Sequence, residues 1–209
     1  MIYYPAFLNL KGKRVLLFGG GQVALRKARA LVKSGASLVA ISRDFAKPFL
    51  QFARRNGVKI QYGSIFPKMF GTVSLVIAAT SDTAFNRKVY EKCKQENIFV
   101  NVVDDPKCST FIVPSILRRG LLQIAISTGG ASPFLAKMLR KKLAGQFGVK
   151  YGGLVKQLGQ DRSRTKRLIS FPKERRNHFQ RLVESRLKVL DGKNLKRPSL
   201  RGNAPSVPK

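Results

Sequence analysis

The sequence is poor in histidine, tryptophan, cysteine and acidic residues. Its 209 residues include no tryptophan, one histidine and two cysteines. Cys93 and Cys108 lack the Cys-x-x-Cys or Cys/His spacing of a zinc site, and two isolated cysteines argue against a disulfide framework. His178 lies among basic residues with no acidic cluster beside it in the sequence. That setting favours an ordinary surface histidine over a metal ligand.

Long apolar runs are missing as well. No stretch approaches the roughly 18 apolar residues of a membrane span, and no charged-then-apolar leader opens the sequence. The pattern predicts a protein without a membrane span or signal peptide, and therefore a cytoplasmic location. The length suits one α/β domain of about 110 to 150 residues with a smaller appendage.

Acidic side chains are far outnumbered by basic ones. There are 41 Lys and Arg against 10 Asp and Glu, a net charge of +31. Residues 151–209 carry 16 of the basic and 4 of the acidic residues, so the excess is not confined to one end. A basic tail alone would indicate nucleic acid. A chain basic throughout fits either a polyanionic small substrate or a general basic bias, and composition leaves these two open.

Glycine is concentrated in one turn near the start. An apolar strand pattern runs into three glycines and then a helical pattern, and Gly19, Gly21 and Ala24 occupy the positions of a G-x-G-x-x-A motif. In such motifs the first glycine permits a tight turn, the second lets a pyrophosphate touch main chain, and the third position allows close helix–strand packing. The N–H groups near Gln22 and Val23 would then face an anion. Without a ligand, the same residues would form a plain glycine-rich turn.

The periodicity after this turn alternates between strand and helix, which predicts a parallel, doubly wound sheet. Strands are predicted at Val15–Phe18, Leu38–Ser42, Lys59–Tyr62, Leu75–Ala79 and Phe99–Val103, and helices from the glycine turn to Lys33, at Lys47–Asn56 and at Thr83–Glu96.

The remaining sequence predicts smaller elements. In order, these are extended segments at Phe111–Ser115 and Leu121–Ser127 around a break at residues 118–120, a helix capped by Ser132 and ending near Phe147, short helices at Leu154–Leu158 and Arg175–Val189 joined by a charged loop at 161–167, and a disordered basic tail at 192–209.

Polar residues follow the predicted strands where open α/β sheets bind ligands. Asp44, after the second strand, could accept hydrogen bonds from an adenosine ribose and favour NAD. Arg43 could instead pair with a 2′-phosphate and favour NADP, so the residues leave this choice open. Thr80 is a candidate contact at the edge of the cofactor.

Two further segments could act on a substrate. Asp104 and Asp105 follow the fifth predicted strand, where a carboxylate could serve as general acid or base, although Asp-Asp-Pro is also favourable turn chemistry. The second segment could offer hydroxyl and N–H groups to a substrate carboxylate, or it could simply cap the following helix. Its residues are Ser127, Thr128, Gly129 and Gly130.

Several motifs, in this order, resemble the siroheme synthase N-terminal family, firmly over residues 1–147 and loosely to about 190. They are YPAFLNLKGKRVLLFGGGQVALRKA, LVIAATSD, NVVDDP, FIVPS and AISTGGASP. The family comprises precorrin-2 dehydrogenases, several of which are also sirohydrochlorin ferrochelatases. No methyltransferase pattern follows, so the resemblance is to the short stand-alone form.

The resemblance implies a homodimer and an α/β fold, with a Rossmann-like parallel sheet followed by a dimerisation region and a small helical C-terminal domain. The expected divisions are an NAD-binding domain at 1–110, a dimerisation region at 111–147, a helical domain at 148–191 and the tail at 192–209.

The resemblance also implies an activity, the NAD-dependent oxidation of precorrin-2 to sirohydrochlorin, with insertion of ferrous ion to give siroheme as a second step. The family's catalytic aspartate falls on Asp104, and its cofactor positions fall on Gln22, Val23, Arg43 and Asp44. The family commonly has proline where Arg43 stands, and membership favours NAD over NADP. The tetrapyrrole substrate bears many carboxylates, which fits a basic protein. No His/Cys cage is apparent, so iron would be a substrate and not a resident metal.

Two alternatives remain at this point. The chain could be a dehydrogenase only, with chelation by another protein. It could also be a dinucleotide-sensing regulator whose basic C-terminal segment binds nucleic acid. The second is disfavoured because a regulator has little need for NVVDDP and AISTGGASP on the ligand side of the sheet, so we expect no nucleic-acid partner.

Overall fold

A computed structural model of the chain describes residues 2–64 and 67–190. The strands are β1 (Arg14–Phe18), β2 (Ser37–Ser42), β3 (Lys59–Tyr62), β4 (Val73–Ala78), β5 (Phe99–Val102), β6 (Ser115–Arg119) and β7 (Leu122–Ile126). The helices are α1 (Gln22–Lys33), α2 (Lys47–Asn56), α3 (Thr83–Gln95), α4 (Pro133–Gln146), α5 (Lys150–Leu168) and α6 (Pro172–Leu190), with short 3-10 turns at Pro67–Phe70 and Pro106–Cys108.

Strands β1 to β5 form one parallel sheet in the order β3-β2-β1-β4-β5. The order reverses direction at β1, which pairs with β2 on one side and β4 on the other. Crevices that bind ligands lie at such a reversal, outside the carboxyl ends of the strands. The predicted Rossmann-like sheet is confirmed, and its strand and helix bounds differ from the prediction by two residues at most.

Both faces of this sheet are covered, as near-continuous apolar strands require. Alternate residues of β1 point to opposite faces, so Val15 and Leu17 pack with α1 and α2 while Leu16 and Phe18 pack towards α3. All four are fully buried. This double-sided core fixes the strands, and with them the loops at their carboxyl ends.

The chain divides into two compact units. The first ends at Val113 and also takes in Gly129–Ala131, and the second contains residues 114–128 and the chain from Ser132 through α6. The predicted dimerisation region and helical domain thus fall largely in one unit. The finer division into domains, and the role of 111–147 as a dimer interface, stay predictions.

The second unit is built from a hairpin and three helices. Strands β6 and β7 pair antiparallel through a two-residue turn in which Gly120 has a φ of 60°. The Arg119 guanidinium donates from Nε to the Phe147 carbonyl at 2.8 Å, which joins the hairpin to the end of α4. An added Cβ on Gly152 would lie 3.2 Å from the Arg119 carbonyl, so α5 approaches the hairpin closely at a glycine.

Three predictions for this unit are wrong in detail. The extended segment begins at Ser115 and not at Phe111, and residues 118–119 belong to β6 because they pair with Gln123 and Leu122 of β7. The predicted charged loop at 161–167 is helical and lies inside α5. Thr165 of that stretch is only 5% exposed, and Asp161 pairs with Arg186 of α6 at 3.0 Å. Packing against α6 therefore orders a segment whose charge resembled that of a loop.

The predicted cap of α4 is confirmed, since Ser132 Oγ accepts a hydrogen bond from the Leu135 N–H at 3.2 Å. The tail predicted at 192–209 lies outside the described residues. Among the helices described, none is long and apolar enough to cross a membrane.

Candidate active site

A cavity of about 690 Å³ opens at the carboxyl edge of the parallel sheet. Loops after all five parallel strands contribute to it. Its lining consists of Gly19, Gly20, Gly21, Gln22, Val23, Ile41, Ser42, Arg43, Asp44, Gly63, Ser64, Ala79, Thr80, Ser81, Asp82, Phe85, Val103 and Asp104.

The strand ladder continues into these loops and holds them. Gly19 N–H donates to the Ile41 carbonyl at 2.8 Å, and Ala79 N–H donates to the Phe18 carbonyl at 2.8 Å. Because each bond ties a loop residue to a buried neighbouring strand, the lining is anchored on the buried core of the first unit.

The three consecutive glycines have different surroundings. At Gly19, φ is 119° and an added Cβ would lie 2.5 Å from the Ala79 carbonyl oxygen. At Gly20 an added Cβ would lie 2.1 Å from the Asp44 carbonyl oxygen. At Gly21 no described atom lies within 4 Å of the added Cβ. Protein packing therefore excludes side chains at the first two positions, while the third exposes main chain to the cavity.

The start of α1 borders the same cavity. Gly21 is the N-cap, no side chain caps the helix, and its first turn holds no acidic residue. Gln22 and Val23 line the cavity at this end, where helix N–H groups and the positive end of the helix dipole favour an anion. Ala24 is fully buried and packs in the core, so it serves the close helix–strand approach and does not line the cavity. These features fit a dinucleotide pyrophosphate.

The residues after β2 also border the cavity. Arg43 and Asp44 are exposed and line the cavity side by side. The Asp44 carbonyl packs over Gly20, and Ala46 N–H donates to the Gly20 carbonyl at 3.0 Å. The glycine turn thus fixes the backbone that presents both charged side chains.

Thr80 lines the cavity, and its hydroxyl is engaged within the protein. Thr80 Oγ1 donates to Asn86 Oδ1 at 2.7 Å, and Asn86 Nδ2 donates to the Thr80 carbonyl at 3.0 Å. Asp82 caps α3 by accepting from the Phe85 N–H at 2.9 Å. Asn86 is buried, so this small network holds the loop after β4 in shape.

The two neighbouring aspartates after β5 have separate roles in the fold. Asp104 is exposed, lines the cavity and has a φ of 62°. Asp105 Oδ1 accepts from the Lys107 and Cys108 N–H groups at 3.0 and 3.2 Å. Its hydrogen bond with the Cys108 thiol is the largest cause that holds the pKa of the Asp105 carboxyl below its ordinary value. Asp105 therefore shapes the turn, and Asp104 presents its carboxylate to the cavity.

Lys27, on α1, is a cation close enough to interact with Asp104. Burial lowers the pKa of the Lys27 ammonium, the charge of Arg26 adds to this lowering, and the charge of Asp104 opposes it. Sequence reasoning missed Lys27 because its proximity to the loop after β5 depends on how α1 packs across the sheet.

The predicted substrate segment, residues 127–130, lies in the loop between β7 and α4. Thr128 Oγ1 accepts from the Ser132 N–H at 2.9 Å, and Gly129 and Gly130 have φ values of 64° and 91°. Ser127 follows β7. None of these four predicted residues is among those lining the cavity, and their substrate role stays a prediction.

Sequence reasoning also missed Gly20, Gly63, Ser64 and Asn86. Gly20 stands at an unspecified position of the motif, and only its approach to Asp44 shows the need for glycine. Gly63 and Ser64 follow β3 and line the cavity, which a Gly-Ser pair after a strand could have suggested. No motif or periodicity around Asn86 indicated that its side chain would hold the loop after β4.

The parallel sheet, the glycine turn and the adjoining cavity together define a dinucleotide-binding protein of the Rossmann-like class. Comparison with known proteins agrees. Residues 6–115 match the family model described as putative NAD(P)-binding, and residues 119–146 match the model described as sirohaem biosynthesis protein central.

Proteins that are similar over most of this chain point to one family. Siroheme synthase 2 of Yersinia enterocolitica is 39% identical over 183 residues, which is 88% of this chain and 39% of that protein. Siroheme synthase 2 of Aeromonas hydrophila is 41% identical over 185 residues, again 88% of this chain and 39% of that protein. A solved structure of SirC, precorrin-2 dehydrogenase, aligns with a TM-score of 0.77 at 25% identity and covers 90% of this chain and 94% of that one.

The chain belongs to the siroheme synthase N-terminal family. It spans 39% of the length of each of these two siroheme synthases. The resemblance inferred from the sequence motifs is thereby confirmed, as is the Rossmann-like fold with a helical C-terminal region.

Proposed function

We propose that the chain catalyses the NAD-dependent oxidation of precorrin-2 to sirohydrochlorin. The observation that carries this proposal is the shared cavity, in which the exposed carboxylate of Asp104 faces the same space as the glycine turn and the start of α1. A dehydrogenase needs these two elements together, because a dinucleotide must lie beside a group that takes a proton from the substrate.

The protein's part in the reaction is binding, orientation and proton transfer. Gly21, Gln22 and Val23 would hold the pyrophosphate through main-chain N–H groups, and Asp44 would accept hydrogen bonds from the ribose. Bound NAD⁺ supplies a hydride acceptor. Asp104 accepts the proton that the macrocycle loses in the same oxidation, so substrate gives up a hydride and a proton in total.

NAD is proposed over NADP because Asp44 can receive ribose hydroxyls but would repel a 2′-phosphate. Arg43 stands beside Asp44 and would favour that phosphate. The two side chains therefore act in opposite directions on cofactor choice. Titration of the protein with each dinucleotide decides between them, and clearly tighter NADP binding would overturn this part of the proposal.

Insertion of ferrous ion into sirohydrochlorin is proposed as a second activity of the same cavity. The pyrrole N–H protons must leave as the metal enters, and Asp104 is proposed to accept them. Ferrous ion is then a substrate. The alternative is a dehydrogenase whose product is metallated by another protein.

We also propose a homodimer, in a cytoplasmic location. The exposed side of helix α4 supports the proposed dimer, because apolar side chains are exposed to solvent along it. Phe134 is 71% exposed and Met138 is 53% exposed, with Leu135 and Leu139 beside them. Apolar groups recurring at this spacing are usually covered by a partner.

Incubation with precorrin-2, NAD and then ferrous ion tests the proposal. Macrocycle absorption should change first to that of sirohydrochlorin, with stoichiometric NADH, and then to that of siroheme. A Gly21→Asp variant, which places a negative charge against the pyrophosphate, should lose the first step. No NADH from the folded parent protein would refute the dehydrogenase, whereas NADH without metallation would select the dehydrogenase-only alternative.

A further inference from the structure

The second unit contains a basic pocket of its own. A hollow of about 480 Å³ lies between α5 and α6, which the Ile169–Phe171 connection joins into a helical hairpin. Its lining comprises Arg162, Thr165, Lys166, Arg175, Arg176, Phe179 and Gln180. We call this hollow the hairpin pocket. None of its residues belongs to the cavity at the edge of the parallel sheet.

The charges around the hairpin pocket are not neutralised within the described chain. Four of the seven lining residues are cationic, and no carboxylate lines the pocket. Asp161 pairs instead with Arg186 at 3.0 Å, and Glu184 accepts a hydrogen bond from Gln180 at 3.1 Å. Within residues 2–64 and 67–190, the pocket's cations form no ion pair. Converging cations repel one another, so an anion bound among them would be strongly favoured.

The shape and remaining lining restrict the ligand. Phe179 is half-buried and offers an aromatic surface, while Thr165 lines the same hollow and is almost fully buried. Arginine guanidinium groups bind carboxylates and phosphates through paired N–H donors and also stack on flat π systems. A concave hollow with an aromatic wall suits a compact, flat molecule that carries acidic groups better than it suits the outer face of a nucleic-acid duplex.

We infer that the hairpin pocket binds a polycarboxylate with a flat apolar body, as a second site for the macrocyclic class of the enzyme's substrate or product. The choice of ligand class rests on the proposed function. The existence of an anion site rests only on the four cations, the missing countercharge and the hollow between the helices. Such a site would retain the macrocycle on the protein after it leaves the catalytic cavity.

The test uses uroporphyrin, a stable octacarboxylate porphyrin, as the probe with the full-length protein. The paired variant Arg162→Gln/Arg176→Gln removes two exposed cations from the pocket. The matched control Arg164→Gln/Lys173→Gln removes two exposed cations from the same helices outside the pocket. Calorimetry at physiological salt measures affinity and the number of sites per chain.

The pocket variant should lose one class of site, with affinity there at least about tenfold weaker, because a charge-assisted contact typically accounts for that much or more. The control should change affinity by less than about threefold, the size of an exposed charge effect. Equal losses in both variants would show general charge attraction and overturn the site. Unchanged binding in the pocket variant would also overturn it.

Competition distinguishes carboxylate from phosphate chemistry. Pyrophosphate or a short DNA duplex that displaces uroporphyrin more effectively than a tricarboxylate such as citrate would overturn the carboxylate assignment. NADH formation from precorrin-2 is measured on the same samples. If the parent protein forms NADH normally and the pocket variant binds uroporphyrin like the parent, this inference alone fails. If the parent forms no NADH while the pocket variant loses a site, the proposed function fails and the pocket stands.

Discussion

Adding a single methyl group to adjacent glycines should separate stability from cofactor binding. At Gly20 the new Cβ would lie 2.1 Å from the Asp44 carbonyl oxygen and 2.8 Å from the Phe45 Cα. These are backbone atoms, which cannot rotate away as a side-chain end could. Restoring an ordinary contact of about 3.5 Å would require a shift of about 1.4 Å. Gly20→Ala should therefore destabilise the fold by about 1 to 3 kcal/mol, as overpacking does.

The same change at Gly21 should have a different outcome. No described atom lies within 4 Å of the added Cβ, and φ and ψ of −88° and −169° suit any residue. Gly21→Ala should leave the free energy of unfolding within about 0.5 kcal/mol of the parent. Its methyl group would occupy the space over the main chain where pyrophosphate is proposed to lie, so NAD affinity should fall about tenfold or more.

Denaturant unfolding and NAD titration of the two variants provide the measurement. A Gly20→Ala protein as stable as the parent would refute the close approach to Asp44. A Gly21→Ala protein that binds NAD like the parent would refute the pyrophosphate position, because this variant has no folding defect to obscure the result. Gly20→Ala should also bind NAD more weakly, since displacement of the Asp44 backbone alters the cavity lining.

The remaining predictions concern other parts of the protein. Asp104→Ala should lower turnover about 10² to 10⁴-fold with NAD binding retained, and Asp105→Ala should cost much less activity, as steady-state rates would show; equal mild losses would contradict the catalytic role of Asp104. Asn86→Ala should reduce the free energy of unfolding by about 1 to 3 kcal/mol by removing a buried amide that exchanges two hydrogen bonds with the part-buried Thr80, and an unchanged denaturation midpoint would contradict that network. Burial raises the pKa of the Cys93 thiol to about 12, so a thiol reagent should spare it in the native state. Burial, and then the hydrogen bond and charge of Asp105, raise the pKa of the Cys108 thiol, so Asp105→Asn should speed its modification by increasing the thiolate fraction; a slower rate would count against this. Sedimentation at micromolar concentration should give about twice the chain mass of 23.3 kDa, and a fully active monomer would refute the dimer.

The parallel sheet could be predicted from the sequence because its signals are local. Apolar runs bounded by turns place β1 to β5, and the start of α1 follows directly from the glycine turn. Local patterns also predicted the bounds of α2 and β3. The structure confirms both, at Lys47–Asn56 and Lys59–Tyr62. Position at the end of a strand left Asp104 and Asp105 open between chemistry and a turn, and only the family resemblance singled out Asp104.

The features that sequence reasoning missed depend on contacts between distant segments. Gly20 is constrained by the carbonyl of Asp44, and the charge of Asp104 acts on Lys27 only because α1 packs against the sheet. Residues 161–167 are charged enough to resemble a loop, and their helical state follows from Thr165 packing towards α6. These contacts form only in the folded chain, so local sequence patterns give no information about them.

The close packing of α5 on the β6–β7 turn has a consequence for dissecting the protein. A Cβ added to Gly152 would lie 3.2 Å from the Arg119 carbonyl, and the Arg119 side chain holds the end of α4. The region matched as the sirohaem central family ends at residue 146, before α5 begins. A polypeptide truncated there would lose the surface that covers its hairpin. We therefore expect that region to be degraded as a free fragment, and limited proteolysis to release the hairpin and α5 together.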